Sequence, residues 1–538
     1  MVYADRRLST GSFAVGVPQV AVAVATEGWL ELFLTPNEKL HFLQHNEKVR
    51  DKSIVKSMTH SLFQYLAYRY LPDTLAPSVI TLAGFLSLGQ AWYLTNAYGF
   101  MYPTACTICA AVNISLFFVT NSMVDIHAER IRQTTSLSDL FKYSVDMGST
   151  VFLSMLTTYC LGGTDVSTMW YACQVGQLVL FLKHLSAYKR QDALRYRLIA
   201  GPGEVLLTCM FLLTVRVIIG IEGLEQLYSL LVQQPLATLL LKCHLVPSNV
   251  TYDALMNHYL CGYEMVRYMY YGLFVSAVAQ SLMIKSGWTR FGIVASLGMR
   301  LVPAVLMQFM IEFQNQVSVV DVVCDGLFLT VLTSDVTLAR MAGRELHPWV
   351  VLMSLAAVLS HSTILTLVAI YYIAVFCDLS FYLNLPLLAT CRNVYCDGIY
   401  DLCHIGHKRA FQNALSLGNR LLVGVIGDED ASAYKRPPIM SHEERCAEVQ
   451  ACKAVTKVIP NAPCSGLTQD FLDEHQIHVV AFGEEYLEKY PNPDDDPYYG
   501  YVRKLGIAQP LPRTNTLSTT DLINRILKSG SAAKKSPT

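Results

Sequence analysis

Apolar residues are distributed unevenly along this chain. From Leu75 to about Cys377 they form runs long enough to cross a bilayer, which takes about 20 residues as a helix. The runs fall at about 78–98, 103–120, 146–161, 168–186, 204–221, 268–285, 291–312, 318–334 and 348–376. They predict roughly eight to ten spans, the last long enough for one tilted helix or two short ones. Before them, residues 1–70 mix charge with short apolar stretches, and 38–70 is expected to form one or two interfacial amphipathic helices.

After Arg392 the pattern changes to short apolar strands alternating with amphipathic helices. Strands are expected at 393–396, 420–426, 458–459 and 478–482, with helices at 408–417, 441–455 and 468–475. Ser441 and Glu444 read as a capping box opening the second helix. That alternation implies a parallel sheet covered by helices on both faces, with ligands beyond the carboxyl ends of the strands. The predicted architecture is a multi-pass α-helical membrane domain followed by an α/β Rossmann-like domain with a parallel sheet. Its expected segments are 1–70 (interfacial region), 71–388 (membrane domain), 392–528 (soluble domain) and 529–538 (disordered tail).

Composition agrees. A hydrophobic share of 52% and a mean hydropathy of +0.33 are high for a soluble protein of 538 residues. A net charge of −1 argues against a nucleic-acid binder. The Cys106/Cys109 pair lies inside a candidate span without a partner pair and reads as core, not metal. Free cysteines in the tail, such as Cys403 and Cys464, fit a reducing compartment.

The chemistry gathers in the tail. Just after the first strand comes Asp397-Gly398-Ile399-Tyr400-Asp401-Leu402-Cys403-His404-Ile405-Gly406-His407. Two histidines bracket a glycine at a helix start, where unpaired amides and the macrodipole attract phosphate and Gly406 permits close approach. Further on come Tyr434-Lys435-Arg436-Pro437-Pro438, then Glu443-Glu444-Arg445, and finally Arg513-Thr514-Asn515-Thr516-Leu517-Ser518-Thr519-Thr520. In this order the set resembles the cytidylyltransferases that activate phosphoethanolamine and phosphocholine, whose hallmarks are HxGH and R-T-x-G-[IV]-S-T-[ST].

The resemblance implies that His404 and His407 hold the CTP phosphates and stabilise the transition state. Lys435 would bridge the α-phosphate and the attacking phosphate. Arg513, Thr514, Ser518 and Thr519 would grip the triphosphate, with Asp397, Gly398, Gly406 and Arg445 supporting the nucleotide and Mg²⁺ carried by the phosphates. Thr516 departs from the family's glycine. Choline-directed relatives place a tryptophan where Cys464 stands here, and a primary ammonium prefers carboxylates such as Asp397, Asp401, Glu484 and Glu485. Phosphoethanolamine is therefore the expected substrate. The Asp494-Asp495-Asp496 run reads as a solvated loop.

Residues 71–81 resemble the entry to the first span of the CDP-alcohol phosphatidyltransferases, with weaker similarity over much of 40–388. Their signature D-x2-D-G-x2-A-R-x8-G-x3-D-x3-D holds two divalent cations through its aspartates. Registered on Ala128 and Asp146, the spacing matches while the chemistry does not. Asn121, Val124 and Lys142 replace three aspartates, Asp125 and Ser138 the glycines, and Glu129 the arginine. An ammonium repels the cation that position should bind, so the domain is expected to be a degenerate anchor.

The expected whole is a homodimeric integral membrane protein of the endoplasmic reticulum, its tail in the cytosol with CTP. The alternatives are a bifunctional cytidylyltransferase and phosphotransferase, a phosphocholine enzyme, and an inactive scaffold.

Overall fold

The computed structural model describes residues 32–45, 50–196, 201–243, 250–310, 316–359, 361–383, 385–434, 436–512 and 519–533. They divide into a helical unit within Gly28–Thr390 and a second unit from Cys391 onward.

The helical unit begins with Pro36–Gln44 and Ile54–Tyr70, the latter presenting Met58, Leu62 and Tyr65 to the exterior. Long helices follow at Pro77–Tyr98, Pro103–Arg130, Ser136–Cys160, Val166–Arg190 and Pro202–Tyr228. Gly262–Leu282, Gly287–Phe309, Val319–Ala342, Pro348–Leu359 and His361–Leu383 complete the set. Each expected run has its helix, and the stretch read as 348–376 is two. Among the described residues, four helical segments are long and apolar enough to cross a membrane: Pro103–Arg130, Pro202–Lys242, Gly287–Phe309 and Thr363–Leu383. Pro348–Leu359 is apolar but only 12 residues long, and several of the other long helices turn polar side chains inward, such as Thr95, Gln174 and Gln177. Val319–Ala342 is buried along most of its length and holds Asp325 and Asp335 in ion pairs with Arg300 and Arg344. A two-residue parallel ladder joins β1 (Arg50–Asp51) to β2 (Arg195–Tyr196).

The tail unit is a five-stranded parallel sheet of β3 (Asn393–Gly398), β4 (Arg420–Ile426), β5 (Lys457–Ala462), β6 (Val479–Gly483) and β7 (Ala508–Leu511), in the order β5-β4-β3-β6-β7. Residue alternation sends Val394, Leu421, Val423 and Val479 into one core, with Phe411 and Val449 from covering helices. Tyr395, Leu422, Val480 and Phe482 enter the opposite core with Leu472 and Val502. Period-two burial on both faces is why these segments are central strands.

Helices Ile405–Leu415, His442–Gln450 and Gln469–Glu474 overlap the expected ones, the first starting three residues earlier and the second ending at Gln450 rather than 455. The Ser441 hydroxyl accepts the Glu444 amide at 3.3 Å, and Glu444 accepts the Ser441 amide at 2.8 Å, completing the expected capping box. Strand β7 and the short helices Asp428–Tyr434, Glu485–Lys489 and Gly500–Lys504 were not expected, and two further features depart from expectation. The final helix, Thr519–Ala533, runs past the expected boundary at residue 528, because 522–527 supplies an amphipathic face that carries helical geometry onward. The acidic run is also no simple solvated loop. Asp496 is buried, accepts the Tyr498 and Tyr499 amides at 3.0 Å, and pairs with Arg503.

Candidate active site

The carboxyl ends of β3, β4 and β6 share one edge of the sheet. From β3 the chain turns sharply: Tyr400 and Leu402 adopt φ of 54°, a left-handed conformation unusual for large side chains. A Cβ on Gly398 would lie 2.9 Å from the Tyr400 ring, so glycine is required where that ring folds back. Buried Asp401 accepts the Ile439 and Met440 amides at 3.1 Å each. Arg436 approaches the same carboxylate at 3.6 Å. Asp401 therefore holds the segment that follows Lys435.

The turn delivers His404 as N-cap of Ile405–Leu415. Its Nδ1 accepts the Gly406 amide at 3.1 Å, which leaves the proton of the neutral ring on Nε2. The His407 ring stacks on it with centroids 4.0 Å apart, and Tyr400 packs edge-on against His407. The Thr519 hydroxyl lies 3.4 Å from His404 Nε2 and 3.3 Å from the Asp401 carbonyl. Four expected site residues, His404, Gly406, His407 and Thr519, thus converge from sequence positions more than a hundred apart. Burial holds His404 below the ordinary imidazole value, with Asp521 pulling weakly the other way.

On the other side of the edge, Asp397 accepts the Tyr499 hydroxyl at 2.9 Å, and desolvation pushes its carboxyl up to about 6. Tyr499 stacks on Phe482 and meets Tyr486 edge-on at 4.9 Å. Burial raises the Cys464 thiol, with the negative charge of nearby Asp397 adding to the shift. Glu484 is exposed just beyond β6. The aromatic group was missed in the sequence. Its signal was Asp496-Pro497-Tyr498-Tyr499, an aspartate able to cap the amides two and three residues on.

Lys435, Arg513, Thr514, Thr516 and Ser518 lie outside the described residues.

Residues 395–525 match the family model described as cytidylyltransferase-like. The tail is a cytidylyltransferase-like domain. An ethanolamine-phosphate cytidylyltransferase from Arabidopsis thaliana is 38% identical over 138 residues, covering 25% of this chain and 32% of that protein. A choline-phosphate cytidylyltransferase A from Rattus norvegicus is 39% identical over 137 residues, covering 25% and 36%. An ethanolamine-phosphate cytidylyltransferase from Mus musculus is 37% identical over 134 residues, covering 25% and 32%. The chain spans about a third of the length of these curated relatives.

Within the cytidylyltransferase-like domain, Arg445, expected to support the nucleotide, lies beneath the sheet ends. It is fully buried and donates to the Ile399 carbonyl at 2.6 Å, the Ile426 carbonyl at 2.9 Å and Asp428 at 2.6 Å. With its fixed fork of donors, the guanidinium ties the ends of β3 and β4 together beneath the site. Asp428 is held below the usual carboxylate range chiefly by that hydrogen bond.

In the helical unit, the positions registered against the phosphatidyltransferase signature pair among themselves. Lys142 Nζ lies 2.5 Å from Asp125, and Asn121 Nδ2 donates to Asp146 at 3.2 Å. Val124 is buried and Glu129 exposed. The Lys142 ammonium thus neutralises the Asp125 carboxylate.

Proposed function

We propose that the tail transfers the cytidylyl group of CTP to phosphoethanolamine, forming CDP-ethanolamine and pyrophosphate for phosphatidylethanolamine synthesis. The observation that carries this reading is the His404-Gly406-His407 cluster at a helix N-terminus beyond the central strand, joined there by Thr519. A phosphomonoester oxygen attacks the α-phosphorus of CTP and the bond to pyrophosphate breaks. The nucleophile is already ionised, so catalysis is positioning and electrostatics. His404 Nε2–H and the amides of Ile405–Leu415 would donate to the phosphate oxygens that gain charge. By resemblance, Lys435, Arg513, Thr514 and Ser518 supply the remaining cations and donors.

Asp397 stands at the end of the central strand with its ring partner and no second carboxylate bonded to it among the described residues, which fits a Mg²⁺ held mainly by the triphosphate. Bound there, the ion would spread the charge of the leaving pyrophosphate. Asp397 also suits the ammonium of the phospho-alcohol, with Glu484 near the mouth.

A second reading, phosphocholine, is favoured by the ring group of Phe482, Tyr486 and Tyr499, since quaternary ammonium groups are held by aromatic faces. Against it, Phe482 and Tyr499 are buried, leaving Tyr486 the most accessible of the three. We infer that the helical unit anchors the enzyme in a membrane, the endoplasmic reticulum by resemblance, with the tail in the cytosol beside CTP. It is inferred to be a phosphotransferase relative without phosphotransfer, in a homodimeric protein.

The test is CTP-dependent pyrophosphate release by the full-length protein in membranes, with each phospho-alcohol in parallel. Turnover preferring phosphoethanolamine supports the reading, preference for phosphocholine selects the second, and no turnover with either overturns both.

A further inference from the structure

One charge in the helical unit stands apart from the ion pairs already described. Helix Pro202–Tyr228 is apolar and exposed at Phe211, Ile218 and Ile219, and from Val205 to Ile221 its single charged residue is Arg216. Arg216 borders a cavity of about 300 Å³, between the Tyr98–Pro103 turn, the end of Ser136–Cys160, and its own helix. Among the described residues, Arg216 Nε is buried with no hydrogen-bond partner. A second observation is independent of the first. Thr95 borders the same cavity at 2% exposure, and among the described residues its hydroxyl is also buried without a partner.

The lining defines the ligand's chemistry. Phe100, Pro103 and Ile221 are apolar, Tyr159 and Thr164 add hydroxyls, and no carboxylate lines the cavity among the described residues. Gly220 interrupts the helix beside it (φ 76°, ψ 178°), so a new helical segment begins at Ile221 on the cavity wall. A guanidinium left unpaired on a lipid-facing helix is costly, and such residues are found paired. A cation, hydroxyl donors and a helix start all complement an anion, and the apolar walls complement hydrocarbon.

We propose that this cavity binds the phosphate group of a phosphate-bearing lipid, with Arg216 as the charge partner and Thr95 as a neutral donor. The cavity is distinct from the Asn121–Lys142 cluster. Gln133, just before the start of Ser136–Cys160, donates to the Ala389 carbonyl at 3.1 Å. The cavity lies at the other end of that helix, roughly 35 Å away at 1.5 Å per residue. The lipid would therefore enter from the leaflet opposite the end where the chain leaves for the tail.

The test uses the full-length protein in neutral detergent. Dioctanoyl phosphatidic acid is titrated, with inorganic phosphate and dioctanoylglycerol as competitors. Saturable binding is expected, weakened about tenfold or more in Arg216→Leu, the loss typical of a charge-assisted hydrogen bond. Thr95→Val removes only a hydroxyl without changing shape, so it reports even if the arginine variant misfolds; it should weaken binding by a smaller factor. Competition by inorganic phosphate would support the site with the free ion as its ligand, and its failure to compete supports the lipid. Equal affinity in wild type and both variants, no binding by wild type, or equal binding of dioctanoylglycerol would overturn the proposal.

Discussion

His404 can serve as a donor toward phosphate in one state only. Its Nδ1 is committed to the Gly406 amide, so the neutral ring carries its proton on Nε2. His404→Ala should lower kcat by about 10²–10³, the range for losing one preorganised transition-state donor, as read by pyrophosphate release. Asp397 has the opposite problem. Its carboxyl is pushed up to about 6 by burial, so the folded state favours its protonated form. The stability it contributes is full below the ordinary carboxylate range and is lost as pH rises through about 6. At pH 7.5, Asp397→Asn should raise the Tm of the tail while raising KM for the phospho-alcohol. In wild type, that KM should climb as pH falls through about 6, and the Asn variant should flatten the profile. The histidines and Gly406 were legible because the motif is local. Tyr499 was not, because its bond to Asp397 joins residues 102 apart, a pairing that local spacing does not encode.

Among the elements, β4 was read from end to end, because a continuous run of buried apolar residues bounded by polar turns has few alternatives. The edge strand β7 was not. Its Ala508-Gln509-Pro510-Leu511 contains a proline, which argues against a strand unless the strand lies at an edge. Helix His442–Gln450 carries two contributions that can be separated. Ser441→Ala removes the cap and should cost about 1 kcal/mol. Arg445→Ala strands two carbonyls and Asp428 at the junction of β3 and β4, and should cost about 3 kcal/mol or more. Both are read from urea unfolding of the full-length protein, followed by the near-ultraviolet signal of the tail. The arginine variant should also lose activity, since the brace lies under the turn that presents His404. The resemblance gave Arg445 a part in supporting the nucleotide, but the direction in which its guanidinium reaches was not legible, because a motif reports proximity and not side-chain direction.

For the molecule as a whole, the change from long apolar runs to alternating short ones after Arg392 is the sequence signal that distinguishes the helical unit from the sheet unit. The division of 348–376 into two helices was left open, since no proline or glycine interrupts the run and its one polar stretch, Ser360-His361-Ser362-Thr363, is short. The paired Lys142 and Asp125 bear on what the helical unit can do. The purified protein should convert no CDP-ethanolamine and diacylglycerol to phospholipid, as measured with labelled nucleotide in mixed micelles. Detectable transfer would instead establish the bifunctional alternative.

The order of the sheet also bears on how the protein is made. The central strand β3 leaves the ribosome first, and its partner β4 is complete by Ile426, but its other neighbour, β6, is finished only at Gly483. At about 5–20 residues per second, synthesis of the intervening stretch takes about 3–11 s. Throughout that interval the backbone beside Val394 and Tyr395 is an open edge. A nascent chain halted there presents an unpaired strand to every neighbouring chain on the same polysome. Translation speed between codons 426 and 483 thus sets how long that edge stays open.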